Sequence, residues 1–171
     1  MSKLFALILD RWRLCALASS ALMLAIAHGF ETFGGLSPCT LCLRQREVYW
    51  TAAAVALTGL LIERLPPGRR WRGAFDALLA VIFLAGVGLA AYHAGAEWKF
   101  WPGPTACSSS GGAVNAQAMT DLLHGAKLRP PACDQAPWVF LGLSMAGWNA
   151  LVLLKLSAFS LLALRHDRRT R

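Results

Sequence analysis

The sequence predicts an all-α membrane protein: a bundle of four transmembrane helices with both termini cytoplasmic and a long second outer loop. Three observations carry this expectation. Hydrophobic residues make up 56% of the 171 positions and charged residues only 15%, the apolar residues gather into long runs, and basic residues cluster between alternate runs. That composition is too apolar for a soluble domain of this length, whereas a bilayer core of roughly 30 Å asks for about 20 apolar residues per helix. The spans are expected at about 14–33, 38–62, 74–95 and 138–164 of a single membrane domain, 1–171.

The first run, Leu14 to Phe33, follows Lys3, Arg11 and Arg13 and so has the basic flank of a signal peptide. No small-residue cleavage motif separates it from Cys39, and three more spans remain to be inserted, which favours a retained helix. The second run opens at Ser37-Pro38, an N-cap residue followed by proline at the first helical position, and ends near Ile62. The third covers Ala74 to Gly95. The fourth covers Trp138 to Leu164, with Lys155 near its middle expected to snorkel toward the cytoplasm. Between the last two lies the one long connection, 96–137, rich in Gly, Pro and Ser at 101–112 and 130–137. Within it Val114, Ala118, Met119, Leu122 and Leu123 fall near helical spacing, the pattern of a short helix lying on the membrane surface or packed on its own loop. Trp50, Trp98, Trp101 and Trp138 sit where interfacial aromatic belts sit.

Positive charge is retained on the cytoplasmic side of a membrane. Lys3, Arg11 and Arg13 precede the first span, Arg64, Arg69, Arg70 and Arg72 separate the second from the third, and Arg165, Arg168, Arg169 and Arg171 follow the fourth. The two remaining connections hold Arg44, Arg46, Lys99, Lys127 and Arg129, balanced by Glu31, Glu47, Glu97, Asp121 and Asp134. Both termini are therefore expected in the cytoplasm. The net charge of +8 sits in short flanks of apolar spans rather than on one basic face, which argues against nucleic-acid binding.

This orientation puts Cys39, Cys42, Cys107 and Cys133 at the two outer loops, the oxidising side of a bacterial inner membrane, where disulfides persist. Cys15 lies within the first span and reads as a small hydrophobe. Cys39-Thr40-Leu41-Cys42 is a C-x-x-C at a helix start, where the helix dipole favours thiolate. Arg46 follows one turn after Cys42 and two turns after Cys39 on the same face, close enough to support a thiolate by charge and hydrogen bonding. Cys107 and Cys133 stand 26 positions apart in flexible stretches that can bring them together. A reactive pair beside an exposed disulfide is the arrangement that thiol–disulfide exchange needs. Four cysteines allow three pairings, and the residues alone leave that choice open. The rival is a four-cysteine zinc site. Against it stand the wide second spacing and the oxidising compartment, so no metal is expected. A membrane scaffold with structural disulfides is the bland alternative.

Pro38-Cys39-x-x-Cys42 with Arg46, Cys107 and Cys133 in the second outer loop, Tyr92-His93-Ala94-Gly95, Gly103-Pro104-x-x-Cys107 and Phe140 to Met145 together resemble the DsbB family of quinone-coupled disulfide oxidases, its proteobacterial members and DsbI-like branch most closely. Gln45 departs from the acidic residue that the best-known members carry beside the arginine. The resemblance implies that Cys107 and Cys133 form the disulfide attacked by a reduced DsbA-like periplasmic protein of thioredoxin fold, with the mixed disulfide at Cys107. It further implies exchange between Cys39 and Cys107, release of Cys42 as a thiolate facing a membrane quinone (ubiquinone or menaquinone), Arg46 holding that thiolate, and His93 near the quinone. The active C-x-x-C of vitamin K epoxide reductase-like proteins lies on the last bundle helix; here it opens the second.

Overall fold

The computed structural model describes residues 3–103, 133, 134 and 136–170; Cys107 and the surface helix expected around 114–123 lie outside them. Five α-helices order the described chain: α1 (Lys3–Asp10), α2 (Trp12–Thr32), α3 (Thr40–Glu63), α4 (Arg72–Glu97) and α5 (Met145–Thr170), with a 3-10 turn at Gly68–Trp71. The helical membrane bundle expected from composition is what forms. α2, the 3-10 turn with α4, and α5 are long and apolar enough to cross a membrane. In α3, Arg44, Arg46 and Glu47 occupy the first two turns and leave 48–62 as its uncharged stretch.

Adjacent packing joins α2 to α3 and α3 to α4, and α4 lies along α5, while α1 folds back on α5. Small residues allow the close approach. A Cβ on Gly86 of α4 would come within 2.9 Å of Val48 on α3 and 3.1 Å of Leu153 on α5, so the three helices meet where a larger side chain would separate them. Ala16, Ala52, Leu79, Phe83, Ala90 and Leu153 fill the centre and are fully shielded. By contrast Leu22, Leu57, Leu61, Val81, Leu84 and Leu154 point outward. An apolar belt of this extent is unfavourable in water and natural in lipid. Half-buried Cys15 packs against the core, and Lys155 is exposed on the outer face of α5.

The end of the bundle away from Cys39 is tied by charge. Arg13 on α2 is 2% exposed; it donates to both carboxylate oxygens of Asp76 on α4, at 2.8 and 3.0 Å, and to Glu63 at the end of α3. Glu63 also meets Arg72 at 3.1 Å. One buried guanidinium thus joins three helices: Nη1 donates to both Asp76 oxygens, while Nε and Nη2 converge on one Glu63 oxygen. Nearby the Trp12 indole donates to Ser160 Oγ at 2.9 Å, joining α2 to α5.

Two expected helix starts move. The last helix begins at Met145 rather than Trp138, because Val139–Phe140 and Leu143–Ser144 pair as an antiparallel hairpin. Its two-residue turn, Leu141-Gly142, has positive φ at both positions (50° and 77°), as a tight hairpin demands. Ser144 Oγ accepts from the Gly147 N–H at 3.1 Å and so caps α5. The second helix begins at Thr40 rather than Pro38. Its N-cap is Cys39, in extended backbone conformation with φ −78° and ψ 172°.

Candidate redox site

Cys39 caps α3 with its own sulfur: Sγ accepts from the Cys42 N–H at 3.3 Å, which sets it against the positive end of the helix dipole. The C-x-x-C spacing then returns Cys42 to the same turn, with the two sulfurs 3.1 Å apart. Both are free thiols, as is Cys15. Cys133 is disulfide-bonded. It packs into a small buried cluster with Cys39 and Leu41, and its Sγ lies 3.4 Å from Thr40 Oγ1. The described part of the long loop therefore brings its cysteine onto the N-terminus of α3. Beside it the exposed Asp134 accepts from Lys99 Nζ at 2.6 Å, and this hydrogen bond and charge hold the Asp134 carboxyl below its ordinary range.

His93 reaches the same place from α4. It is 2% exposed, and its Nε2 lies 3.6 Å from Cys39 Sγ and 3.6 Å from a carboxylate oxygen of Glu97, one turn on. The other Glu97 oxygen is buried and has no hydrogen-bond partner among the described residues. α4 ends just beyond: Lys99 takes a left-handed φ of 62° and the Phe100 N–H closes on the Gly95 carbonyl at 2.9 Å, a closure that stops a helix firmly. Trp101 folds over Gly95, where any side chain would clash with its ring, and its indole donates to the Tyr92 carbonyl at 2.9 Å.

Below the cysteines a chain of polar side chains runs into the bundle. Gln45 Nε2 lies 2.8 Å from His93 Nδ1, Asn149 on α5 donates to Gln45 Oε1 at 2.5 Å, and Tyr49 donates to Asn149 Oδ1 at 2.5 Å. Cys42, Gln45 and Tyr49 are three and four residues apart, so this face of α3 was legible as a helical stripe. Asn149 was signalled only as a polar residue in an apolar run.

Cys42, Arg46, His93 and Glu97 line one cavity of about 330 Å³, whose remaining wall is mostly apolar, Met23, Phe30 and Trp138 among it. Arg46 sits at this wall, 15% exposed, bonded to Glu31 on α2 at 2.6 Å and to the Ala27 carbonyl at 3.1 Å. It shares the cavity with Cys42 and binds α2 rather than the sulfur. The site residues named from sequence are thus gathered at one end of the bundle, with Cys107 outside the described residues. Donor atoms of Cys39, Cys42 and His93 also lie within 4.8 Å of one another, a spacing that a soft metal ion could use.

The arrangement is a dithiol with one sulfur capping a helix, a third cysteine, disulfide-bonded, packed against it, and an apolar cavity opening on the other sulfur. Comparison with known proteins gives this chemistry a family. The family described as "Disulfide bond formation protein DsbB" matches residues 10–163. A disulfide bond formation protein B of Aromatoleum aromaticum is 30% identical over 160 residues, 85% of this chain and 90% of that one. The protein of the same name in Methylococcus capsulatus is 31% identical over 146 residues, covering 83% and 85%, and that of Nitrosomonas europaea is 32% identical over 158 residues, covering 88% and 85%. No solved structure gives a significant match. With the family matched over most of its length and a vicinal dithiol at the site, the chain belongs to the disulfide bond formation protein B family of disulfide-forming membrane oxidoreductases.

Proposed function

We propose that this protein oxidises the dithiol of a DsbA-like periplasmic partner and delivers the electrons to a membrane quinone. The observation that carries the reading is the apolar cavity bordered by Cys42, Arg46 and His93, with Cys133 clustered with Cys39 beside it. Cys133 is disulfide-bonded and only 1% exposed, so a reduced partner would attack that disulfide at its other sulfur, and a lipid-soluble acceptor has an apolar chamber to enter.

In this scheme one partner thiolate attacks the Cys107–Cys133 disulfide, forming a mixed disulfide at Cys107. The second partner thiol resolves it, so that the partner leaves oxidised and the loop pair reduced. A loop thiolate exchanges with the Cys39–Cys42 disulfide through Cys39, which frees Cys42 as a thiolate at the cavity wall. The loop disulfide re-forms, and the Cys39–Cys42 dithiol holds the two electrons and two protons. The fit of a quinone to the cavity rests on its lining, apolar walls with an arginine, a histidine and an unpartnered carboxylate oxygen at one end, which matches the ring-and-carbonyl pattern of that molecule. When bound, the quinone supplies the acceptor for those two electrons and two protons as the Cys39–Cys42 disulfide returns. Arg46 fixes the cavity wall through Glu31 and offers a cation near Cys42, while His93 supports Cys39. DsbA-type oxidants lie near about −120 mV, so a terminal acceptor of higher potential is what drives the sequence forward. The scheme places α3 as the fourth span, the termini in the cytoplasm and the cysteines in the periplasm of the inner membrane, the distribution that the basic flanks favour.

The decisive measurement follows quinone absorbance while reduced DsbA-like protein is added to the purified enzyme. One quinone consumed per partner dithiol is expected; absence of quinone reduction overturns the proposal. The Cys39, Cys42 and His93 donor cluster favours metal binding as a second reading. Stoichiometric zinc retained by the reduced protein, with no quinone reduction, would select it.

A further inference from the structure

We infer that Tyr49, Asn149 and Gln45 form a one-way hydrogen-bond relay that holds His93 as the neutral tautomer protonated on Nε2, so that its N–H faces Cys39 and Glu97. Gln45 is thereby a positioning residue for the redox site.

The direction follows from the far end of the chain. The Tyr49 hydroxyl is buried, and a buried hydroxyl must donate somewhere. Among the described residues its one partner is the Asn149 side chain, at 2.5 Å. That contact assigns Oδ1 of Asn149 to the hydroxyl and leaves Nδ2 pointing at Gln45, 2.5 Å away. A donor there assigns Oε1 of Gln45 to Asn149 and turns its Nε2 toward His93 Nδ1 at 2.8 Å. A neutral imidazole facing an amide N–H through Nδ1 presents a lone pair on that side and carries its proton on Nε2. Each amide in the relay has one face fixed by its predecessor, so reversing any member would set two donors or two acceptors against each other at the wall of the cavity, which all four residues line. The opposite orientation would leave the Tyr49 proton without an acceptor among the described residues.

The consequence falls on Cys39. Its Sγ is 3.6 Å from His93 Nε2, so the relay puts an N–H, rather than a lone pair, beside the sulfur that exchanges with the outer disulfide. An N–H stabilises that sulfur as a thiolate when it departs, and a lone pair would oppose it. Glu97, 3.6 Å from the same nitrogen, is just beyond hydrogen-bond distance and leaves the N–H free to turn to the Cys39 thiolate. This role rests on the proposed exchange through Cys39, but the tautomer itself does not.

The test reads the ring directly. Reduced protein carrying ring-15N histidine, with the His93 signals assigned by a His93→Asn variant, should show His93 Nε2 as the protonated nitrogen and Nδ1 as the unprotonated one. Asn149→Asp keeps the shape and the acceptor for Tyr49 but replaces the donor to Gln45 by an acceptor. The Gln45 amide should then turn over, His93 should switch to Nδ1 protonation, and Cys39 exchange should slow by about tenfold. Gln45→Leu should give a mixture of tautomers, and Gln45→Asn with Asn149 intact should recover part of the wild-type signature. Nδ1 protonation in the wild type, or an unchanged His93 signature in a folded Asn149→Asp protein, overturns the relay. Because no partner or quinone enters this measurement, a switching ring in an enzyme that fails to reduce quinone would reject the proposed function and leave the relay standing.

Discussion

The two ends of the bundle both bury polar side chains, and they do so in opposite ways. At one end Arg13, Asp76, Glu63 and Arg72 form a closed ionic network, with each charge facing its opposite. At the other, Tyr49, Asn149, Gln45 and His93 form a hydrogen-bonded chain that finishes at a sulfur, beside an apolar cavity and a carboxylate oxygen with no hydrogen-bond partner among the described residues. In the ionic network the charges face one another across three helices and serve to fix them. An open chain ends in groups whose bonding is incomplete, and chemistry can complete it.

The contrast can be broken most severely at Cys42. Cys42→Ser should lower oxidation of a reduced partner by roughly 10³-fold or more, as loss of a reacting group does, with little change in thermal unfolding in detergent. Retained quinone-dependent oxidation would end the assignment of the cavity sulfur. At the opposite end Asp76→Ala should have the reverse profile: a destabilisation of about 3–5 kcal/mol, because Arg13 is left buried without its main partner, and near-normal turnover per folded molecule. The paired replacement of Arg13 by Met and Asp76 by Leu should regain most of that stability, and if it does not, the network does more than join helices. Arg46→Met should lie between the two, raising the KM for quinone about tenfold through loss of a charged hydrogen-bonding group at the cavity wall. A fall in kcat at unchanged KM would move Arg46 from the cavity wall to the reaction itself.

The smallest effect is expected at the rim, where Lys99 is 61% exposed and Asp134 37%. Exposed pairs contribute little, so Lys99→Ala should leave unfolding unchanged and modestly hasten proteolysis next to Cys133 at neutral pH. The Asp134 carboxyl is held below its ordinary value in the folded chain, so the pair's contribution is present above the unfolded value of about 3.9 and fades as pH falls through the lowered one. Because Lys99 Nζ also donates to the Asp134 backbone carbonyl at 2.6 Å, which does not titrate, the difference between wild type and Lys99→Ala should shrink below both values without vanishing; a difference unchanged from neutral pH would mean that the carboxylate adds nothing to the hold on the loop.

Much of the redox site was legible before any coordinates. The C-x-x-C and Arg46 on the same helical face follow from spacing, His93 was named through the family resemblance, and the structure gathers them at one end. The stripe Cys42, Gln45 and Tyr49 was equally available, but only a partner on another helix turns a stripe into a relay, and Asn149 lies 104 positions from Gln45. The hairpin at Val139–Ser144 escaped because its residues are apolar and continuous with the helix that follows; Gly142 was its one local signal. The cap at Cys39 escaped because Ser37-Pro38 satisfies the usual helix-start pattern two residues early, and only the backbone decides which side chain meets the free N–H groups.

The sequence by itself determined the solvent and the chemistry, since hydropathy depends on composition along each run and thiol reactivity requires cysteines at a fixed local spacing. Tertiary structure alone decided which polar groups finish satisfied and which finish open. Arg13 meeting Asp76 across 63 positions, and His93 meeting Gln45 across 48, depend on which helices become neighbours. Helix neighbourhood is set by packing of small residues such as Gly86 at the crossing points, over distances along the chain that no local pattern spans.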